Sequence, residues 1–266
     1  MVHTKELFSL DGRVAIVTGG RGLYGSSITE GLCEMEATVV IASRNGAKCD
    51  EFAETLRQQG YDAIGLSLDL GDDASIKMFV EEVYERYGHI NILVNNAVDR
   101  SNMVNMGDAT REQLQSSVST NLNGQILLSQ EVLKYMVAAQ KGNIINISSM
   151  RGIDCPHFPY YKNGHPVNYT TEKWAMVGLT KYMAGRYGKH GIRVNCVAPG
   201  GFTAMGKEKP LTEAQATFMQ NYIDHCPLHR WAEEDDIKGP VAFLASDAAS
   251  YVTGATLVMD GGWTIW

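Results

Sequence analysis

Short, unbroken apolar runs alternate along this chain with longer stretches in which apolar and polar positions recur at helical spacing. Runs that are short, continuous and closed by glycine or small polar residues mark strands buried on both faces. They fall at Arg13–Thr18, Ala37–Ser43, Ala63–Leu68, Ile90–Asn95, Asn143–Ile147, Arg193–Ala198 and Thr256–Met259. Between them the periodicity predicts helices at Ser26–Met35, Ala47–Gln59, Asp72–Tyr87, Thr110–Ala138, Val167–Tyr187, Leu211–Asp224 and Glu233–Leu244. Gly60 closes the second of these, and Thr110 with Gln113 three residues on forms a capping-box pattern that opens the fourth. Strict alternation of strand and helix gives an α/β protein, a doubly wound parallel sheet of about seven strands covered by helices on both faces. No repeat, charged run or Pro- or Ser-rich linker divides the chain, so residues 1–266 read as a single domain. Ligands of such sheets bind beyond the carboxyl ends of the strands, where Thr18, Ser43, Asp69, Asn95, Ser149 and Pro199 fall.

The first of those ends is a glycine turn, Gly19-Gly20-Arg21-Gly22-Leu23-Tyr24-Gly25, between a strand and a helix. Glycines at 19, 22 and 25 allow a tight turn and close approach of a pyrophosphate, whose charge the helix N-terminus stabilises. That points to a dinucleotide. After the second strand an acidic residue would bind ribose hydroxyls and repel a 2′-phosphate. Here the chain runs Ser43-Arg44-Asn45 with no acid before Asp50. Arg44 can meet a phosphate bidentately, and Arg21 is a second cation nearby, which favours NADP over NAD as cofactor.

Further on, Tyr169 and Lys173 lie four residues apart in a predicted helix and therefore share a face. A free phenol titrates near pH ~10, so a neighbouring ammonium is what makes its phenolate accessible as a proton acceptor. Ser149, at the end of the fifth strand, can bond a substrate oxygen and steady a developing alkoxide.

These motifs, in this order, resemble those of the short-chain dehydrogenase/reductases in their compact form, a Rossmann-like fold. The match runs from Leu10 to Trp263 through Thr18-Gly19-Gly20 with Gly25, Asp69-Leu70, Asn95-Asn96-Ala97, Asn121-Leu122-Asn123-Gly124, Ser148-Ser149, Tyr169 with Lys173, Pro199-Gly200 and Asp260-Gly261-Gly262. By that resemblance Asn121, Ser149, Tyr169 and Lys173 form a catalytic tetrad, with Asn121 holding a water that links Lys173 to solvent. Asp69 and Leu70 would flank the adenine, and Asn95, Asn96 and Ala97 would support the cofactor wall. Pro199, Gly200 and Thr203 would hold the nicotinamide end, and residues 203–230 would be a substrate lid. The resemblance also implies a homo-oligomer, tetramer or dimer, built on the two long helices and the last strand. The chain departs from the family at three places. The glycine turn lacks a glycine at 23, Val98 follows Asn-Asn-Ala where glycine is usual, and Ser149 and Tyr169 are separated by a longer segment than the family's dozen or so residues. Tyr160 or Tyr161 would restore the spacing, but neither has a lysine four residues on.

The extra segment, residues 154–168, must border the site. It carries His157, Tyr160, Tyr161, Lys162 and His165, a polar set unsuited to a steroid or long acyl chain. Arg100 and Arg151 are the cations expected to face the same space. In a protein of net charge -7, cations around a pocket suggest an anionic or polyhydroxylated substrate. The reading is therefore an NAD(P)-dependent oxidoreductase interconverting a secondary alcohol and a ketone on a sugar, sugar acid or polyol. The opening Leu7-Phe8-Ser9-Leu10-Asp11-Gly12 and the closing Asp260-Gly261-Gly262-Trp263 are similar to those of sugar-acid dehydrogenases of the gluconate 5-dehydrogenase kind. One rival is a 3-oxoacyl carrier reductase, for which Lys207 and Lys209 would form a docking patch diluted by Glu208 and Glu213. The other is a catalytically silent dinucleotide-binding sensor, which would be expected to have lost Tyr169 or Lys173.

The acidic balance excludes a nucleic-acid binder with a basic stripe. Five cysteines without a C-x-x-C pair read as free thiols in a reducing compartment, and no metal set is spaced for ligation. With no apolar run near membrane-spanning length and no leader-like N-terminus, a cytoplasmic protein is expected.

Overall fold

A computed structural model describes residues 2–161, 164–202 and 211–266. Seven parallel strands form one sheet in the order β3-β2-β1-β4-β5-β6-β7: β1 Val14–Thr18, β2 Thr38–Ser43, β3 Ala63–Ser67, β4 Ile92–Asn95, β5 Gly142–Ile147, β6 Ile192–Pro199 and β7 Thr256–Met259. The helices are α1 Leu23–Glu34, α2 Gly46–Arg57, α3 Asp73–Tyr87, α4 Arg111–Val118, α5 Gly124–Ala139, α6 Val167–Tyr187, α7 Glu213–His225 and α8 Lys238–Ala245. All seven expected strands form, and the parallel doubly wound arrangement is the one the alternation implies.

Every residue of β1 is buried because successive side chains enter opposite layers. Ala15 and Val17 pack with Ile28, Leu32, Ala53, Val241 and Leu244 of α1, α2 and α8. Val14 and Ile16 pack with Phe79, Val80, Leu128, Val132 and Met183 of α3, α5 and α6. Each such aliphatic side chain removed from water contributes about 1.5–3 kcal/mol before the entropy of ordering it. A third, smaller cluster joins Met150, Tyr222, Cys226 and Trp263, with Tyr160 and Trp231 packed against it. It ties the segment after β5 to α7 and to the C-terminal turn.

Helix ends follow local chemistry. Asp72 caps α3 by accepting from the Ala74 N–H, and Gly88 ends it in the left-handed region at φ 73°. The capping box at Thr110 and Gln113 forms as expected. The single helix expected from Thr110 to Ala138 does not. It is two helices, α4 and α5, joined by a π-helical turn over Ser119–Asn123. Such a turn inserts one residue into the helical repeat, and Ser-Thr-Asn-Leu-Asn marks it with no glycine, no proline and no side-chain cap. The helix expected at Glu233–Leu244 opens as a 3₁₀ turn, Glu234–Ile237, and becomes α-helical at Lys238. The helix expected from Leu211 starts at Glu213, because Thr212 and Gln215 form a second capping box.

Candidate active site

The strand order reverses between β1 and β4, and a cleft of about 560 Å³ opens there at the carboxyl edge of the sheet. One end is built by the glycine turn. Gly19 has φ +62°, and a Cβ on Gly25 would lie 2.0 Å from the Gly19 carbonyl oxygen, so these two positions exclude any side chain. Gly22 caps α1 without a side-chain hydrogen bond, and the first turn carries no acid. The leading N–H groups of α1 are thus offered to the cleft, as a phosphate requires. Tyr24 lies beneath, its ring centroid 4.5 Å from that of Phe202 and its buried hydroxyl unpartnered. Burial pushes that hydroxyl's pKa well above the ordinary phenol value. A backbone cradle without Cβ atoms, an uncapped helix start and an unpaired buried hydroxyl fit a dinucleotide phosphate and its attached ring.

Strand β4 braces this turn. The Thr18 hydroxyl accepts from the backbone N–H groups of Asn96 and Ala97 at 2.9 and 3.0 Å, and the Asn96 amide donates to the carbonyls of Thr18 and Gly19 at 2.9 and 3.2 Å. Behind it the Asn95 amide donates to Ser129 Oγ and Asn146 Oδ1, both at 2.9 Å. At the far wall, Asp69 Oδ1 accepts from the Gly71 N–H at 2.9 Å and shapes the turn carrying Leu70. Arg44 leaves β2 exposed and reaches across to Asp99 beyond β4 at 3.4 Å. Hydrogen bonds from Ser101, and then the Arg44 charge, hold the Asp99 carboxyl below the usual range.

The other end of the cleft is chemical. Ser149 is buried at the end of β5, and its Oγ accepts from the Arg151 backbone N–H at 3.1 Å, which leaves its own proton for a ligand. Tyr169 and Lys173 both line the cleft from α6, with Lys173 Nζ 5.7 Å from the Tyr169 ring centroid. Nζ donates to the Ile147 carbonyl at 2.8 Å and keeps two further N–H groups. Burial pulls the Lys173 pKa down to about 8, against the opposing influence of Cys196 and Glu172. A phenol beside an ammonium that titrates near neutrality, facing a free serine hydroxyl, can move a proton at a bound oxygen.

Most residues singled out in the sequence meet in this cleft: Gly19, Arg21, Gly22, Leu23, Tyr24 and Gly25 from the turn, Ser43, Arg44, Asp69 and Leu70 at one wall, Asn96, Ala97 and Arg100 after β4, and Ser149, Arg151, Tyr161, His165, Tyr169, Lys173, Pro199 and Gly200 around the chemistry. Three do not. Thr203 lies outside the described residues, as do Lys162, Lys207, Glu208 and Lys209. His157 is turned away, packed on Tyr160 at 4.5 Å and His225 at 5.5 Å between ring centroids. Asn121 is buried behind the wall, with Thr120 at the surface of the cleft in its place. Its amide donates to Asp99 O and Glu172 Oε2, and its Oδ1 accepts from the Asp99 N–H. The side chain is thus used up by protein contacts.

Arg151 is buried rather than open to solvent. It donates to Cys155 O at 3.0 Å and to the Tyr161 hydroxyl at 2.9 Å, leaves Nε unpaired, and lies over the rings of Tyr161 and Trp263. It organises the extra segment, whereas Arg100 is, with Arg21 and Arg44, an exposed cation of the same cleft. His165 stands with its ring centroid 5.9 Å from that of Tyr169, its pKa lowered by burial and by Arg151. Glu172, Ser117 and Asn168, which no sequence motif marks, hydrogen-bond with Asn121 or with one another. The i, i+4 spacings of Ser117 with Asn121 and of Asn168 with Glu172 are the signals of shared faces. Among the described residues no three His, Cys, Asp or Glu side chains gather as metal ligands, and no helix is long and apolar enough to cross a membrane.

A parallel sheet with this switch-point cleft, glycine turn and Tyr–Lys face defines a dinucleotide-dependent oxidoreductase fold. Residues 22–264 match the family model described as enoyl-(acyl carrier protein) reductase, and the chain belongs to the short-chain dehydrogenase/reductase family, NAD(P)-dependent oxidoreductases. The 3-oxoacyl-(acyl-carrier-protein) reductase of Pseudomonas aeruginosa is 37% identical over 256 residues, covering 96% of this chain and 98% of that one. The 2-dehydro-3-deoxy-D-gluconate 5-dehydrogenase of Pseudoalteromonas atlantica is 34% identical over 265 residues, covering 97% and 98%. Among solved structures, a gluconate 5-dehydrogenase from Burkholderia cenocepacia in complex with NADP and tartrate has a TM-score of 0.88 at 32% identity, covering 99% of this chain and all of that one.

Proposed function

We propose that this protein oxidises a secondary alcohol of a sugar acid, or reduces the matching ketone, with NADP as the preferred cofactor. The observation that carries the substrate class is the wall over Tyr169, where Arg100, Arg151, Tyr161 and His165 line the cleft together. Arg151 is already paired within the protein, but an aliphatic substrate would leave the Arg100 charge and the Tyr161 hydroxyl proton unmatched, whereas a carboxylate and hydroxyls would pair them. The likeness to gluconate and 2-dehydro-3-deoxy-D-gluconate dehydrogenases supports this reading.

In this reading Ser149 donates its free proton to the reacting oxygen, and Tyr169 takes the hydroxyl proton in oxidation or gives it in reduction. The Lys173 ammonium stabilises the phenolate, and its buried position strengthens that interaction relative to water. The backbone of the glycine turn, with Arg21 and Arg44, would hold the dinucleotide phosphates, and Asp69, Leu70, Asn96 and Ala97 its adenosine half. Pro199 and Gly200 would hold the nicotinamide end. The chemistry a bound nicotinamide would supply is acceptance or donation of the hydride.

The same chain would work as one domain, with residues 154–168 as its active-site loop; of the expected lid at 203–230, residues 203–210 lie outside the described residues, as do 162 and 163 of the loop. Exposed Trp174 and Tyr182 on α6, and the one-sided pairing of β7, support assembly with further copies. Five free thiols fit a reducing, cytoplasmic setting.

The similarity to the Pseudomonas reductase gives a second reading, reduction of a 3-oxoacyl thioester. The deciding experiment measures turnover with NADP and NAD against aldonates, uronates, polyols and a 3-oxoacyl thioester. The expected result is activity with an aldonate that Tyr169→Phe lowers by a factor of roughly a thousand or more. Activity confined to the thioester would replace the sugar-acid reading with the second. An active Tyr169→Phe would remove Tyr169 from the chemistry.

A further inference from the structure

The residue before Lys173 is a buried glutamate that faces away from the cleft, into the junction of α6 with α4 and the π-turn. Both of its oxygens accept hydrogen bonds. Ser117 Oγ donates to Oε1 at 2.6 Å, and Asn121 Nδ2 donates to Oε2 at 3.0 Å. The directions are forced by the neighbours. Ser117 Oγ already accepts from Asn168 Nδ2 at 2.9 Å, so its single proton goes to Glu172. The Asn121 Oδ1 is held by the Asp99 N–H at 2.7 Å, so its amide cannot reverse without losing that bond. Asn168 continues the network by donating to Asn102 O at 2.7 Å and accepting from the Val104 N–H at 3.1 Å. A group that only accepts, on both oxygens, is a carboxylate; an amide in its place would set a donor against a donor.

We propose that Glu172 is a positioning residue for the reaction assigned above to Tyr169 and Lys173: its carboxylate locks the π-turn carrying Thr120 and Asn121 against α6, and its negative charge supports the buried ammonium next to it in the chain. The lock matters because the π-turn departs from the regular α-helical repeat, and among the described residues the bond from Asn121 to Glu172 is the side-chain hydrogen bond that ties it to α6. Thr120 forms part of the cleft wall, so a shift of this turn moves the wall relative to the Tyr–Lys face. The groups that act on Lys173 from the surrounding elements are Cys196 of β6 and Arg100 after β4, with Glu172 and Tyr169 on its own helix. Glu172 and the thiol favour the ammonium; Arg100 opposes it.

The inference rests on the catalytic reading, so Tyr169→Phe is measured beside Glu172→Gln and Glu172→Asp in the whole enzyme, using the compound that turns over fastest in the panel above. Glu172→Gln is expected to lower kcat by roughly ten- to a hundredfold through misplacement of the wall. It is also expected to move the alkaline limb of kcat to lower pH by roughly half a unit or more, because the ammonium loses its supporting charge. Glu172→Asp, which keeps the charge, is expected to leave the limb in place and recover part of kcat. A Glu172→Gln enzyme within twofold of the parent, or one slowed with the limb unmoved, overturns the proposal. If Glu172→Gln does not fold, Ser117→Ala serves: it removes one donor and keeps the charge, and an unchanged kcat overturns the proposal. An active Tyr169→Phe, or no turnover in the panel, brings down the catalytic reading and this proposal with it, whereas an inert Tyr169→Phe beside an unaffected Glu172→Gln removes only Glu172.

Discussion

Lys173 is where function and stability pull apart. Its ordinary pKa is near ~10.4, and burial brings it to about 8 in the folded chain. Between those values the unfolded chain holds more protons, so this residue makes stability rise with pH across that window and costs most below it. The cost at pH 7 is about 3 kcal/mol at ~1.36 kcal/mol per pH unit, reduced by the bond to Ile147 O. Lys173→Met is therefore expected to unfold later in urea at pH 7, by about 1–3 kcal/mol, and to lose turnover. The gain should vanish above pH ~10.5, where both chains would be neutral at this position. A variant less stable than the parent at pH 7 would show that the lysine is well solvated or fully compensated.

At the level of elements, Arg151 ties the extra segment after β5 alongside the aromatic cluster. Arg151 is 1% exposed and holds the Cys155 carbonyl and the Tyr161 hydroxyl while its guanidinium covers two aromatic rings. Arg151→Met keeps the apolar bulk and removes both charged hydrogen bonds, each worth about 1.5–3 kcal/mol. We expect faster proteolysis between residues 154 and 168 and a raised KM, since Tyr161 and His165 hang on the same loop. Unchanged proteolysis and KM would mean that the aromatic cluster of Tyr160, His225 and Trp263 holds the segment unaided. Most elements were legible in the sequence: buried strands betray themselves by continuous apolar runs, and caps such as Thr110 and Thr212 by residue type. The π-turn was not, because no glycine, proline or side-chain cap within Ser119–Asn123 marks the residue it inserts between α4 and α5.

Across the whole molecule, the strand order decides which side chains meet. Arg44 follows β2 and Asp99 follows β4; they are neighbours only because β1 lies between those strands. Their ion pair is partly exposed and contributes little to stability, so a 2′-phosphate can draw Arg44 from it. Arg44→Asp places two acids together there and is expected to lower the kcat/KM ratio of NADP to NAD by roughly ten- to a hundredfold. An unchanged ratio would assign phosphate recognition to Arg21 or to the backbone.

Sequence alone determined the alternating architecture, the glycine turn and the Tyr169–Lys173 face, because each is set by spacing within one element or between neighbours in the chain. Only the tertiary structure decided that Asn121 turns inward while Thr120 faces the cleft, that His157 leaves the site for an aromatic cluster, and that Glu172 completes a buried network with Ser117 and Asn168. Those outcomes depend on which donors and acceptors remain unpaired once helices from distant parts of the chain pack together, and a linear sequence carries no record of that.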